Sequence, residues 1–206
     1  KSLEALAESL PGLSEPLREQ ARAVLALEPR MLAAFRSAMS RRIPATRIRT
    51  HGDFNLGQAL HTGRDFVIID FEGEPSRSIE ERRIKRSPLR DVAAMVRSFH
   101  YAALAVLRDR AANAGQEQAR AGAWIRHWYQ VVSAEYVRHY LASARNEPFL
   151  ARASDEVVLE LLRVYAAEKV LYELHFELLQ RPDWVATPIA GVLELFHAWG
   201  GETSAS

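Results

Sequence analysis

His51-Gly52-Asp53-Phe54-Asn55-Leu56-Gly57-Gln58, followed by Phe66-Val67-Ile68-Ile69-Asp70-Phe71-Glu72-Gly73, is the stretch on which the reading of this chain turns. Residues 51–58 show neither a helical nor a strand period. Thr62-Gly63-Arg64 reads as a turn, and Phe66-Val67-Ile68-Ile69 as a short β-branched strand ending in Asp70. The two pieces predict one small hairpin, with Ile48 on its approach between Arg47 and Arg49. No other convincing strand pair occurs.

Both flanks read as helix. Upstream, Leu17, Ala21, Val24 and Leu25 share one helical stripe, and Leu32, Phe35 and Met39 another, with breaks at Pro11-Gly12 and Glu28-Pro29. Downstream, Ser87-Pro88 predicts an N-cap and a proline at the first helical position. Leu89, Val92, Val96, Phe99, Ala103 and Val106 follow as an apolar stripe, stopped at Asn113-Ala114-Gly115. Trp124, Trp128, Val131 and Val132 mark a second long helix. Ser154 caps a third, with Val158, Leu161, Leu162 and Tyr165 on its buried face and Pro182 at its end. Thr187-Pro188 opens a last helix that Gly200-Gly201 closes. The expected fold is mainly α (α+β), a single domain over 1–206. Helices fill 1–45, the hairpin region 46–75, and a helical subdomain 76–206.

Composition narrows the class. The 206 residues carry 27 basic and 26 acidic side chains, a net charge of +1, and 48% hydrophobic residues. That balance fits a globular protein and argues against disorder and against a nucleic-acid surface. The basic cluster from Arg77 to Arg90 reads as a solvated loop or helix face. No apolar run is long enough for a membrane helix, and no leader is apparent. Cysteine is absent, which excludes disulfides and thiolate chemistry and fits a cytoplasmic setting. A start at Lys1 suggests part of a longer protein.

The hairpin region carries the chemistry. Asp53 follows His51-Gly52, Gln58 lies five residues further, and Asp70 precedes Phe71. A protein-kinase catalytic loop reads H-R-D-x-x-x-x-N, then a strand, then D-F-G. Phosphoryl transfer needs a carboxylate to orient the attacking hydroxyl and hard oxygen ligands to hold Mg²⁺ on the phosphates of ATP. Asp53 is the candidate for the first task; Gln58, through its amide oxygen, and Asp70 are candidates for the second. Both aspartates are expected at strand ends. Glu72 reads either as part of a solvated acidic turn or as a substrate contact. Arg90 and Asp91 read as structural: the acid suits the first turn of a helix, and the arginine can pair with the hairpin.

Tyr165, Lys169, Tyr172 and Phe176 share one helical face, with Glu173 and Glu177 beside it. Either this is a salt-bridged face open to solvent, or Lys169, Tyr172 and Glu173 form a wall for a sugar. The scattered histidines include no H-E-x-x-H, and no G-x-S-x-G is present.

The runs 51–58, Ile69-Asp70-Phe71-Glu72-Gly73-Glu74-Pro75, Arg86-Ser87-Pro88-Leu89-Arg90-Asp91-Val92 and Arg97-Ser98-Phe99-His100-Tyr101-Ala102 resemble the bacterial maltokinases. More narrowly, they resemble the maltokinase part of fusions with trehalose synthase. The match is clear over about 47–103 and looser through Lys169-Val170-Leu171-Tyr172-Glu173 and Arg181-Pro182-Asp183-Trp184. Asn55 stands where that family is expected to carry His, and Phe176 where it is expected to carry Tyr. The resemblance implies the helical lobe of an aminoglycoside-phosphotransferase-like kinase that converts maltose to maltose 1-phosphate with Mg²⁺ and ATP. It assigns Asp53 to catalysis, Gln58 and Asp70 to the metal, and the Lys169–Glu173 helix to the sugar, with His51 structural near the site. No phosphate-covering glycine loop or strand lysine is found, so an N-terminal ATP-binding lobe is expected as a partner, with a fused trehalose synthase domain beyond it. Two alternatives stand: a kinase of another small hydroxyl substrate, such as glucosamine or an aminoglycoside, or an inactive kinase-like regulatory module.

Overall fold

The computed structural model describes residues 1–40, 46–110, 116–150 and 153–201. The chain divides into two compact units, Lys1–Arg41 with Ala167–Ser206, and Arg42–Ala166.

The first unit is helical. Helix α1 (Ser2–Ser9) leads through a 3-10 turn at Leu10–Gly12 into α2 (Glu15–Ala26) and then α3 (Glu28–Ser40). Arg18 fastens the α1–α2 turn: its guanidinium donates to the carbonyls of Leu10 at 2.9 Å and Leu13 at 2.8 Å. The unit's other helices are the C-terminal part of α7 (Asp155–Gln180) and α8 (Ala186–Gly201). Ala167, Val170 and Leu174 on α7, and Ile189, Val192 and Phe196 on α8, repeat every three or four residues, so each set forms one buried stripe. Leu6, Ala21, Val24, Met31 and Val185 complete that core. On α3 the buried face is Met31 and Ala38, whereas Leu32 and Met39 are exposed. The expected stripe of Leu32, Phe35 and Met39 is thus rotated by one residue. Either set satisfies the helical period, and packing chose between them.

The second unit carries the hairpin. Strands β1 (Ala59–His61) and β2 (Phe66–Ile68) pair antiparallel, Ala59 opposite Ile68, Leu60 opposite Val67 and His61 opposite Phe66. Gly63, at φ +91°, makes the turn that Thr62 closes by donating its N–H to the Asp65 carbonyl at 2.8 Å. The hairpin is shorter than expected. Ile48 lies outside it, exchanging backbone hydrogen bonds with Arg86 instead.

Within the basic cluster lies α4 (Ile79–Arg83), opened by a reciprocal cap in which Ser78 Oγ accepts the Glu81 N–H and Glu81 accepts the Ser78 N–H. Helix α5 (Leu89–Arg110) begins directly after Pro88. Ser87 does not cap it with its side chain, because its Oγ is buried without a partner. Leu89, Val92 and Ala103 are buried and Val96 and Phe99 half-buried, as the stripe requires, but Val106 is exposed, and Ala93, Met95, Arg97 and His100 beside the stripe are buried as well. The expected stop at residues 113–115 lies outside the described residues.

Helix α6 (Gln116–Ala144) packs on α5, where Phe99 meets Trp128 and Tyr136 edge-on. The residues that mark this helix in the sequence are largely at its surface: Trp124 is 70% exposed, and Trp128 and Val131 are exposed too. At the start of α7, Ser154 Oγ caps the Val157 N–H at 3.3 Å, and Val158, Leu161 and Leu162 are buried, as the spacing predicts. Among the described residues no helix is long and apolar enough to cross a membrane.

Candidate active site

The loop at 51–58 is held from beneath by α5. Asp91, in its first turn, accepts the His51 N–H on Oδ2 at 2.6 Å and the Gly52 N–H on Oδ1 at 3.0 Å. A loop that lacks a strand ladder must satisfy its amides elsewhere, and here one carboxylate takes two of them. Burial pushes the Asp91 carboxyl above the ordinary aspartate range, with the Gly52 and His51 amides pulling the other way. Tyr136 and Tyr140 of α6 are raised as well, chiefly by burial and secondarily by the Asp91 charge for Tyr140. The sequence marked Asp91 as structural on helix-dipole grounds. Its larger task is to anchor the loop.

His51 is buried and places its Nε2 2.7 Å from the carbonyl oxygen of Ile69, with the Phe54 and Phe71 rings at 5.3 and 4.9 Å from its own. A carbonyl only accepts, so Nε2 carries the proton. The bond ties the loop to the residue before Asp70. Two glycines let the chain segments close up: Gly52 at φ +86° and Gly73 at φ +82°. A Cβ on Gly52 would stand 3.3 Å from Gly73 Cα. The H-G-D loop and the D-F-E-G turn therefore lie against one another.

Asp53 is half-buried, and its carbonyl accepts from Asn55 Nδ2 at 3.0 Å. Neither aspartate stands at a strand end, contrary to expectation. Asp53 precedes β1 by six residues, and Asp70 follows β2 by two. Side-chain hydrogen bonds, rather than the ladder, fix the backbone here. Gln58 closes a 3-10 turn at Leu56–Gln58, and its Nε2 donates to Asp70 Oδ2 at 2.8 Å. Asp70 adopts φ +63°, a left-handed conformation that costs a non-glycine residue on the order of 1 kcal/mol or more and clusters at functional sites.

The structure thus brings Gln58 and Asp70 together. With Gln58 Nε2 engaged, Gln58 Oε1 and Asp70 Oδ1 are hard oxygen donors of the kind Mg²⁺ takes, and two protein ligands suit an ion that keeps water and phosphate oxygens. Among the described residues no three His, Asp or Glu side chains converge as a metal cluster. Glu72 lies at the surface, its Oε2 3.9 Å from Arg82 Nη1. Arg82 in turn donates to the carbonyls of Arg77 and Pro75 at 2.9 Å each, shaping the turn after Gly73.

Lys169, Tyr172 and Glu173 belong to the first unit, and the loop residues 51–58 to the second. The shared face read from the spacing is real. Lys169 Nζ stands 5.1 Å from the Tyr172 ring centroid, and Tyr172 stacks with Phe176 at 6.4 Å. The row continues where the sequence did not follow it: the Arg181 guanidinium sits 5.4 Å from the Phe176 ring and 5.6 Å from that of Trp184. Glu177 is not on a solvent face. It is buried and accepts from Arg181. Arg97 and His100 on α5, hydrogen-bonded to each other with Tyr129 stacked on the histidine, are a further buried polar group that an apolar-period reading passes over.

No protein-family model matches the sequence. Solved structures do. A glucosamine kinase in complex with glucosamine, ADP and inorganic phosphate matches 99% of this chain at 21% identity and a TM-score of 0.72, over 48% of its own length. Two crystal forms of glucosamine kinase match at 22% identity: form A with a TM-score of 0.74 over 99% of this chain and 47% of that one, form B with 0.70 over 96% and 44%. The chain spans about half the length of these structures. Its fold, mainly helical with one two-stranded hairpin, is similar to that of a kinase-like lobe.

Proposed function

We propose that this chain is the catalytic lobe of a Mg²⁺- and ATP-dependent kinase that phosphorylates a sugar hydroxyl, with Asp53 as the catalytic carboxylate and Gln58 and Asp70 as the metal ligands. One observation carries the reading: the H-G-D loop and the D-F-E-G turn are locked together, with Gln58 Nε2 on Asp70 Oδ2 at 2.8 Å. The similarity to glucosamine kinases supports the fold that such a site requires.

In this reading Asp53 accepts a hydrogen bond from the acceptor hydroxyl, which orients the oxygen at the γ-phosphorus of ATP. The new O–P bond forms as the bond from the γ-phosphorus to the bridging oxygen of ADP breaks, and the hydroxyl proton passes to the Asp53 carboxylate. Gln58 Oε1 and Asp70 would hold Mg²⁺, which when bound neutralises phosphate charge. Asp91 and His51 keep the loop still while this happens, and positioning is most of what phosphoryl transfer asks of a protein.

Maltose is the acceptor we assign, on the sequence runs at 51–58, 69–75 and 86–92, with Lys169, Tyr172 and Glu173 as its contacts. Glucosamine is the second reading, favoured by the ligand of the similar solved structure. A coupled ADP-release assay of the full-length protein with Mg-ATP, run against maltose, glucosamine, glucose and an aminoglycoside, separates them. Maltose-dependent turnover that disappears in Asp70→Ala is the expected result. Turnover on glucosamine alone would replace the acceptor, and no turnover on any of the four would defeat the reading.

A further inference from the structure

We propose that Asn55 is a positioning residue that sets the separation between Asp53 and Gln58. The inference rests on the kinase reading above, which makes those two side chains the catalytic carboxylate and a metal ligand. The Asn55 amide uses both its ends. Nδ2 donates to the Asp53 carbonyl at 3.0 Å, and Oδ1 accepts the Gly57 N–H at 2.9 Å. The backbone carbonyl of Asn55 accepts the Gln58 N–H at 3.0 Å. One residue is therefore bonded to the main chain of both functional positions and to the turn between them.

The rest of the turn is pinned from elsewhere, which gives Asn55 its leverage. Leu56 donates its N–H to Ser98 Oγ of α5 at 3.0 Å. Ile69 donates its N–H to the Gln58 carbonyl at 3.0 Å, and Gln58 Nε2 is on Asp70. Gln58 is thus fastened to the hairpin, and the span from Asp53 to Gln58 passes through Asn55. The chemistry needs a donor and an acceptor on one short side chain. Aspartate keeps only the acceptor, and alanine keeps neither. Gly57 is matched to it, since a Cβ there would meet Asn55 Oδ1 at 3.0 Å.

The test uses Asn55→Ala and Asn55→Asp in the full-length protein. The readouts are kcat and KM, the Mg²⁺ concentration for half-maximal rate, the melting temperature, and hydrogen exchange at the Gly57 amide. Misplacing reacting groups by about 1 Å costs on the order of 10²-fold, so Asn55→Ala should lower kcat by about 10–100-fold. It should also raise the Mg²⁺ requirement several-fold, leave KM and melting nearly unchanged, and speed exchange at Gly57. Asn55→Asp should keep Gly57 protected and still lose rate, because its carboxylate faces the Asp53 carbonyl with no donor between them. Wild-type kcat and Mg²⁺ requirement in Asn55→Ala, with faster exchange at Gly57, would overturn the proposal and leave the kinase reading intact. If Asn55→Ala does not fold, a folded Asn55→Asp with wild-type kcat overturns it equally. A wild-type protein that transfers phosphate to no sugar overturns the kinase reading, and this proposal with it.

Discussion

Asp53 and Asp91 serve the same loop: Asp53 is the carboxylate proposed to take the acceptor proton, and Asp91 holds the backbone by accepting the His51 and Gly52 N–H groups. Asp53→Asn keeps the shape and removes the base. In the full-length protein kcat should fall about 10²–10⁴-fold with KM little changed, read by steady-state kinetics. Asp91→Asn acts differently. The amide has one acceptor oxygen, so either the His51 or the Gly52 N–H loses its partner, at a cost of about 1–3 kcal/mol. The pH dependence has a definite sign. Burial raises the folded-state pKa of Asp91 above its unfolded value, so the folded protein binds that proton more tightly. Its contribution to stability therefore falls as pH rises from the ordinary aspartate range to the raised value, and is flat above it. Asp91→Asn should remove that slope from the curve of unfolding free energy against pH, measured by denaturant titration. The two roles differ in legibility. Asp53 is visible in sequence because catalytic-loop spacing is local. The Asp91 anchor joins residues about forty positions apart, which no local pattern encodes.

Elements were legible where their signals were local. Ser154 caps α7 where the sequence places a cap, and Ser78 with Glu81 is a capping box that a reading by charge alone passes over. Faces were less legible, because a helical period names a stripe but not which of two adjacent stripes is covered. Trp124, one of the apolar residues that mark α6, is exposed, and Arg97, a charged residue on α5, is buried. At the hairpin, the closeness of two turns depends on Gly52. An added Cβ there meets Gly73 Cα at 3.3 Å on a backbone at φ +86°. Gly52→Ala should lower stability by about 1–3 kcal/mol and depress kcat by more than that loss explains, since the loop that carries Asp53 must shift. Comparing kcat with the unfolding free energy of the same variant checks this; an unchanged kcat would show that the contact is not used.

At the scale of the molecule, structures with 21–22% identity are similar to this chain in fold, with TM-scores of 0.72 and 0.74. In the first unit the core centres on Phe196, 1% exposed among Val170, Leu174, Ile189 and Val192. Phe196→Ala should cost about 3–5 kcal/mol. For a chain of this size that is a fall of roughly 10 °C in melting temperature, which calorimetry reads directly.

The sequence by itself determined the helical class, the position of the hairpin, the starts of α5 and α7, and the candidacy of Asp53, Gln58 and Asp70. Each of these depends on residues within a turn or two of one another: periodicity, caps, a β-branched run, a five-residue spacing. Tertiary structure alone decided that Asp91 and His51 clamp the loop, that Gly52 and Gly73 bring the two motifs into contact, and that Ile48 pairs with Arg86 instead of joining the hairpin. It also decided that Arg181 extends the aromatic row on α7 and that Glu177 is buried. Those outcomes depend on which segments meet. That is settled by the burial and hydrogen-bond satisfaction of the whole chain at once, because which face of a helix is covered depends on the segments packed against it and not on the helix's own period.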